Sequence, residues 1–294
     1  MKRLWIALLL TAHILCGCAQ TEGSAEIAAT TLPVWEFTSR LCQNTPLTVT
    51  RLVTEEVSCL HDYALNVRQV KSAEAAEVIV ISGAGLEAFM DDILLEADTI
   101  DASAGIKLIT PEEHHHHEES EENHEGHHHD LDPHIWLSPV NAATMATNIC
   151  QGLANRYPQY QNILDNNLQV LLQELESLNS YGQQQLQGLS CRELITFHDG
   201  FSYLAESFDL HILHAIEEES GREASAKELI HLIEEVAHHD LPAIFTEKSG
   251  SVSAAGIIAR ETGCGTFSLD MAMAGNSYFE AMYHNIHILK EALG

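Results

Sequence analysis

A leucine repeat in the middle of the chain constrains its architecture more than any other feature. Its members recur at alternating spacings of four and three residues: Leu164, Leu168, Leu171, Leu175 and Leu178. This spacing places the five side chains on one face of an amphipathic helix. A helix over residues 158–188 would be on the order of 45 Å long at 1.5 Å per residue. The repeat therefore predicts a rigid connector between two structural units.

Short apolar runs alternate with helical patterns on both sides of this connector. The strand-like runs are residues 47–53, 78–82, 106–110, 194–197, 243–246 and 266–269. Helices are predicted over residues 34–42 and 225–238, the second opening with a capping box from Ser225 to Glu228. A further helix is predicted to end before Gly263. This alternation predicts an α/β fold of two lobes with parallel sheets, over residues 26–157 and 189–294.

The N-terminus is typical of a targeting segment. Lys2 and Arg3 precede an apolar stretch over residues 4–14, and Leu15-Cys16-Gly17-Cys18 follows. This pattern resembles a bacterial lipobox, so we expect residues 1–17 to be a signal peptide and Cys18 to carry a lipid. The alternative is an ordinary cleaved signal peptide. Either interpretation predicts an exported protein, periplasmic or at the cell surface, and the first adds a lipid anchor in a bacterial membrane.

Charge and cysteine content limit the partners. The formal net charge is −29, which makes nucleic acid and direct binding to anionic lipid poor candidates. Five cysteines follow the lipobox: Cys42, Cys59, Cys150, Cys191 and Cys264. A disulfide between Cys191 and Cys264 and buried free thiols are both compatible with the sequence.

Residues 112–130 form a low-complexity tract of histidine and acidic residues without any apolar side chain. Such a segment cannot pack into a core, so it is predicted to be disordered. Its imidazoles predict an auxiliary, weak and multivalent metal-binding loop. They are His114, His115, His116, His117, His124, His127, His128 and His129.

Side chains that can bind metal stand at the ends of predicted strands. They are His61, beyond the first strand and a short loop; His198, Glu247 and Asp270, directly after three later strands; and His134, which follows the histidine-rich tract. Open α/β sheets bind ligands at the carboxyl ends of their strands. Three imidazoles and one carboxylate suit zinc. Each residue also has an ordinary alternative, such as a helix cap for Asp270 or an ion pair with Lys248 for Glu247.

Several blocks, in order along nearly the whole chain, resemble the substrate-binding lipoproteins of zinc and manganese ABC importers, of the high-affinity zinc-uptake type. The most specific block is Asp132-Pro133-His134-Ile135-Trp136, next to the histidine-rich tract. The others are His61-Asp62-Tyr63, Ser82-Gly83-Ala84-Gly85-Leu86-Glu87, Phe197-His198-Asp199-Gly200-Phe201, Ala243-Ile244-Phe245-Thr246-Glu247 and Ser268-Leu269-Asp270. One departure from the family pattern is Leu60 before the first histidine and Asp62-Tyr63 after it, where an acidic residue and a proline are usual.

The resemblance implies two α/β lobes joined by one long helix, with the metal between them. It assigns His61, His134 and His198 as histidine ligands and Asp270, or water, as the fourth. Glu247 is implied beside the site, next to a ligand and not on the metal itself. The implied partners are Zn²⁺, a membrane permease and its ATPase, with the receptor a monomer and not an enzyme.

Three alternatives were weighed against this interpretation. A manganese receptor of the same family would share the fold. An exported zinc hydrolase would need a general base, for which Glu247 or Asp199 could serve, but the chain has no HExxH or G-x-S-x-G motif. A surface adhesin finds no support in the sequence.

Overall fold

Two four-stranded parallel sheets form the framework of the protein. The computed structural model describes residues 25–57, 60, 63–110, 131–215, 225–248 and 253–294. The first sheet contains β1 (Ile27–Ala29), β2 (Val49–Arg51), β3 (Val78–Ile81) and β4 (Thr99–Asp101) in the order β2-β1-β3-β4. The second contains β5 (Glu193–Thr196), β6 (His211–Ala215), β7 (Ala243–Glu247) and β8 (Gly265–Leu269) in the order β6-β5-β7-β8. The two sheets therefore repeat one topology.

Helices cover these sheets and connect their parallel strands. In the first lobe they are α1 (Leu32–Leu41), α2 (Val67–Ala75), α3 (Asp91–Leu94) and α4 (Pro139–Arg156). The connector is α5 (Gln161–Leu186), and the second lobe contains α6 (Ser202–Ser207), α7 (Ala226–His238), α8 (Ser253–Thr262) and α9 (Tyr278–Leu293). Among the described helices, none is both long and apolar enough to cross a bilayer.

The long helix α5 joins the two lobes, as the leucine repeat predicts. A short 3-10 turn, Pro158–Tyr160, precedes its 26 residues. Leu164, Leu171, Leu175 and Leu178 are buried, and Leu168 packs at the edge of the same core. The helix packs against α4 on one side and α9 on the other. The predicted α/β fold of two lobes joined by one long helix is confirmed.

A glycine allows α5 to approach the second lobe closely. A Cβ on Gly182 would lie 2.3 Å from Phe208 and 3.1 Å from Ile286, closer than side-chain atoms pack. Only a residue without a side chain fits at this contact. The glycine therefore keeps α5 tightly packed on α6 and α9.

One hydrophobic core runs through both lobes. Phe37, Trp136, Leu175, Tyr278 and Ile286 are fully buried members of the same cluster. The Phe37 and Tyr278 rings pack edge to face with centroids 5.0 Å apart, although they belong to different lobes. The lobes are thus packed together as well as covalently linked.

Most of the predicted strands are present, with ends that shift by one or two residues. One prediction is wrong: residues 106–110 form no strand, and the fourth strand of the first sheet is β4. The apolar side chains of this run pack at the edge of the core, and the Ile109 N–H donates to the Tyr203 hydroxyl rather than to a neighbouring strand. The apolar pattern correctly predicted that these side chains are partly buried. It could not predict which groups form hydrogen bonds with the backbone of this segment.

The structure contains the helix ends that the sequence predicts. Ser225 and Glu228 form the reciprocal capping box at the start of α7, and Gly263 follows α8 with a φ of +82°. Both predictions are confirmed.

The described cysteines, Cys42, Cys150, Cys191 and Cys264, are all free, so the structure contains buried or half-buried thiols rather than a Cys191–Cys264 disulfide. Cys59 lies outside the described residues.

Candidate metal centre

His134 is held rigidly at the start of a 3-10 turn, Ile135–Leu137. Pro133 restricts Asp132 to an extended conformation, and the Asp132 carboxylate turns back toward His134. Its Oδ1 accepts the His134 backbone N–H at 2.9 Å and also lies 2.9 Å from the ring Nδ1. Because an ionised carboxylate only accepts, this contact favours the tautomer with the proton on Nδ1, which leaves the Nε2 lone pair for a ligand.

His198 has a similar carboxylate partner. The residue follows β5, and its Nδ1 lies 3.2 Å from Oε1 of Glu247, the last residue of β7. Both side chains are mostly buried, at 15% and 6% exposure. Since β5 and β7 are neighbours in the second sheet, the fold itself brings this histidine and this glutamate together.

The two imidazoles lie against each other. The His134 and His198 ring centroids are 5.2 Å apart, and the ring planes are nearly perpendicular at 84°. A Cβ on Gly200 would lie 2.7 Å from the His198 ring, 2.7 Å from the Met271 methyl and 3.0 Å from the His134 ring. Gly200 therefore makes room for both rings.

Hydrogen bonds between the two lobes fix the backbone next to these rings. The Trp136 indole N–H donates to the Met271 carbonyl at 2.8 Å, and the Tyr278 hydroxyl donates to the Trp136 carbonyl at 2.8 Å. The Tyr203 hydroxyl donates to the Asp132 carbonyl at 2.9 Å. Burial raises the pKa of Tyr203 to about 12, so it remains a neutral donor. His134 belongs to the first lobe, and these contacts fix it relative to the second.

Asp270 lies at the end of β8 and points into the cleft between the lobes. Its Oδ1 accepts the Ala272 N–H at 2.8 Å, and its Oδ2 lies 3.1 Å from Nζ of Lys248. Its backbone is fixed by the buried Asn285 side chain, which accepts from its N–H and donates to its carbonyl. The backbone of Asp270 is therefore fixed, and Lys248 forms an ion pair with its second carboxylate oxygen.

A cleft separates the lobes at this point. Glu56 and Val57 of the first lobe face Glu247, Lys248 and Asp270 of the second across it. Its lining carries three carboxylates and one ammonium group among the described residues. The cleft is therefore suited to a cation.

The structure describes only part of the predicted ligand set. His134, His198, Glu247 and Asp270 lie at the cleft or beside it, whereas His61, Cys18 and the eight tract histidines lie outside the described residues. Among the described residues, no group of three or more His, Cys, Asp or Glu side chains is arranged to hold a metal ion by itself.

Comparison with protein families identifies the chain. The family model described as "Zinc-uptake complex component A periplasmic" matches residues 27–292, nearly the whole chain. The chain belongs to the ZnuA family. The resemblance predicted from the motifs is therefore confirmed, and with it membership of a family of zinc-uptake components.

Relatives in the ZnuA family span most of the chain. The high-affinity zinc uptake system protein ZnuA of Bacillus subtilis (strain 168) is 27% identical over 95% of this chain and 92% of its own length. The zinc-binding lipoprotein AdcA of Streptococcus pneumoniae (strain ATCC BAA-255 / R6) is also 27% identical, over 99% of this chain, but the match spans only 61% of AdcA. A crystal structure of ZnuA superposes with a TM-score of 0.77 at 28% identity, covering 92% of this chain and 99% of that one.

Two residues at the ZnuA-type cleft were not singled out from the sequence. Asp132 was part of a quoted motif, and its spacing of two residues before His134, across a proline, is a local signal for the carboxylate partner. Lys248 gave no comparable signal, since its contact with Asp270 joins residues 22 positions apart. Such a contact follows only from the pairing of β7 with β8.

Proposed function

We propose that the chain is an extracytoplasmic receptor that binds one Zn²⁺ between its lobes and delivers it to the permease of an ABC importer. In this proposal the protein is a monomer without catalytic residues, and zinc is its cargo. It meets the membrane through a lipid on Cys18. The names of the relatives ZnuA and AdcA, a zinc uptake protein and a zinc-binding lipoprotein, support this direction.

One observation carries the proposal: His134 and His198 pack together, and each has a carboxylate at Nδ1. Histidines that bind zinc generally donate their other ring N–H to a carboxylate or carbonyl, which fixes the ring and raises its basicity. Asp132 and Glu247 are placed to do this. The chemistry of the pair therefore fits a metal better than it fits two structural histidines.

His61 is the third ligand in this proposal, and Asp270 or water is the fourth. Three neutral imidazoles favour zinc, whereas manganese favours sites richer in oxygen. The histidine-rich tract at residues 112–130 would bind additional zinc weakly and raise its concentration near the cleft. Ordering a segment of such low-complexity sequence around a metal costs about 1–2 kcal/mol per residue in backbone entropy, so the tract should lose to the cleft in competition.

Competition titration with a zinc chelator tests the proposal on a chain lacking residues 112–129. The variants His61→Ala, His134→Ala and His198→Ala should each weaken zinc binding by orders of magnitude, because each leaves an incomplete ligand shell. His284→Ala, an exposed histidine in α9, serves as the matched control and should bind as the parent does. Unchanged affinity in any of the first three variants would remove that residue from the ligand set.

The tract itself needs a separate measurement. Calorimetry of the full chain should resolve one tight site and several weak ones, and deletion of residues 112–129 should remove only the weak ones. Loss of the tight site on deletion would mean that the tract supplies a ligand to the cleft.

A further inference from the structure

Both carboxylate oxygens of Asp270 already have partners within the protein. Its Oδ1 accepts the Ala272 N–H, while the amide of Asn285 fixes the aspartate backbone on both sides. The Lys248 ammonium lies 3.1 Å from Oδ2. A metal bound to this carboxylate would compete with the lysine and would lie close to its positive charge.

The pairing of β7 with β8 places Lys248 and Asp270 next to each other. Glu247 pairs with Leu269 in the β7–β8 ladder, and the Lys248 N–H donates to the Leu269 carbonyl at 2.9 Å. Lys248 and Asp270 are therefore the next residues along two adjacent strands. Asp270 is 15% exposed and Lys248 64% exposed, so the carboxylate is fixed and the ammonium reaches it from the solvent side.

The residue before Lys248 contacts the other half of the candidate site. Glu247 contacts the His198 imidazole, and Lys248 pairs with the Asp270 carboxylate. Two consecutive residues therefore contact two of the candidate metal-binding side chains. Among the described residues that line the cleft, Lys248 is the only basic one, facing Glu56, Glu247 and Asp270. A positive side chain in a site for cations requires an explanation.

We propose that Lys248 determines metal specificity by withholding the Asp270 carboxylate from the bound ion. This inference rests on the proposed function and refines it: the zinc shell is completed by water, and Asp270 stays paired with Lys248. The lysine thereby selects against ions that depend on an additional carboxylate.

The selection follows from the preferences of the two ions. Zinc is satisfied by three imidazoles and a water molecule in a tetrahedral shell. Manganese binds nitrogen ligands more weakly and gains more from carboxylate oxygen. Manganese that binds Asp270 therefore competes with Lys248 for the carboxylate and lies beside its ammonium group, whereas zinc bound by water does not.

Removing the lysine charge should relax this selection. We would measure the dissociation constants for zinc and manganese by chelator competition in the full chain with its eight tract histidines changed to glutamine. In Lys248→Met, which keeps the length of the side chain, manganese should bind about fivefold more tightly, the upper end for a solvent-screened ion pair. Zinc affinity should change by less than about twofold, so the ratio of the two constants shifts toward manganese.

Two further variants make the interpretation specific. Lys248→Arg keeps the charge and should keep the wild-type ratio. In an Asp270→Asn background, Lys248→Met should have no effect on the ratio, because the carboxylate that it releases is gone. An unchanged ratio in Lys248→Met, equal tightening of both metals, or an effect that persists in Asp270→Asn would overturn the proposal.

Crystal structures with each metal give an independent readout. The zinc form should retain the Lys248–Asp270 contact, whereas the manganese form should have Asp270 on the metal and Lys248 displaced. Asp270 bound to zinc would refute the inference while leaving the receptor function intact. Failure of His134→Ala and His198→Ala to reduce zinc binding would instead refute the proposed function.

Discussion

Glu36 caps a helix of the opposite lobe through Tyr278. The Glu36 carboxylate, on α1, accepts the backbone N–H of Tyr278 at 2.5 Å and the Ser277 hydroxyl at 3.3 Å, at the start of α9. Arg40 donates to the same carboxylate from one turn along α1. A negative group at a helix N-terminus is favourable, and this one also links the two lobes.

Removing this cap should destabilise the whole chain. Glu36→Ala leaves the Tyr278 N–H without its acceptor in a buried setting, so we expect a loss of about 1–3 kcal/mol in the free energy of unfolding. Denaturant unfolding of the metal-free protein measures it. Glu74→Ala, at an exposed position in α2, is the control and should change stability little. Equal stability of Glu36→Ala and the control would contradict the cap.

Asp132 should matter to metal binding although it is not itself a proposed ligand. It fixes the His134 ring through Nδ1, and loss of such partners costs metal affinity about 10- to 100-fold. Asp132→Ala should therefore weaken zinc binding by this factor in a chelator competition assay. Asp92→Ala, which removes an exposed carboxylate from α3, should leave the affinity unchanged. If the two variants bound zinc alike, the contact would have no role in orienting the ligand.

Gly200 should not tolerate even one added carbon. In Gly200→Ala the new methyl group would press on both imidazoles and on Met271, as the short distances above require. We expect at least about a tenfold loss of zinc affinity and an overpacking cost of about 1–3 kcal/mol. Gly256→Ala is the matched control, because a Cβ there meets nothing within 4 Å and lies in helix α8. That variant should bind normally and be no less stable than wild type.

Glu87 should give the first lobe a measurable pH dependence. Burial raises its pKa to about 7 from 4.5, against the lowering effect of hydrogen bonds from Thr30, Ser82 and Gly83. The folded state thus holds this proton more tightly than the unfolded chain. Its stabilising contribution is complete below pH 4.5 and is lost as the pH rises through about 7, with a magnitude on the order of 3 kcal/mol.

Glu87→Gln should remove this contribution to the pH dependence. The amide cannot accept from all three donors, so the variant should be less stable in absolute terms. Its unfolding free energy, followed by denaturant titration from pH 4.5 to 7.5, should nevertheless fall less steeply than that of wild type. Parallel curves for the two proteins would show that Glu87 has an ordinary pKa.

The sequence predicted what depends on local patterns. The leucine repeat identified α5, the Ser225 capping box identified the start of α7, and apolar runs identified β2, β3, β5, β7 and β8. Strands β1, β4 and β6 were missed: β1 is a segment of three residues, β4 buries only one of its three residues, and histidines interrupt the apolar run of β6. The 106–110 run was misassigned because burial alone does not specify a strand.

For the candidate site too, the sequence predicted the features that depend on local patterns and not those that depend on packing. Histidine positions after strands, and the short spacing from Asp132 to His134, are visible in the sequence. The contacts of Trp136 with Met271 and of Lys248 with Asp270 join residues that are distant along the chain. Such contacts depend on how the lobes and strands pack, which no local pattern encodes.

The shared core has a consequence for the order in which the molecule is completed. Phe37 and Trp136 are made early, yet their partners Tyr278 and Met271 belong to the last segments of the chain, around β8 and α9. The core of the first lobe therefore has one side uncovered until this late segment packs against it. The same late segment that covers it also brings Asp270 to the cleft. The segment around β8 and α9 thus completes both the core of the first lobe and the wall of the cleft.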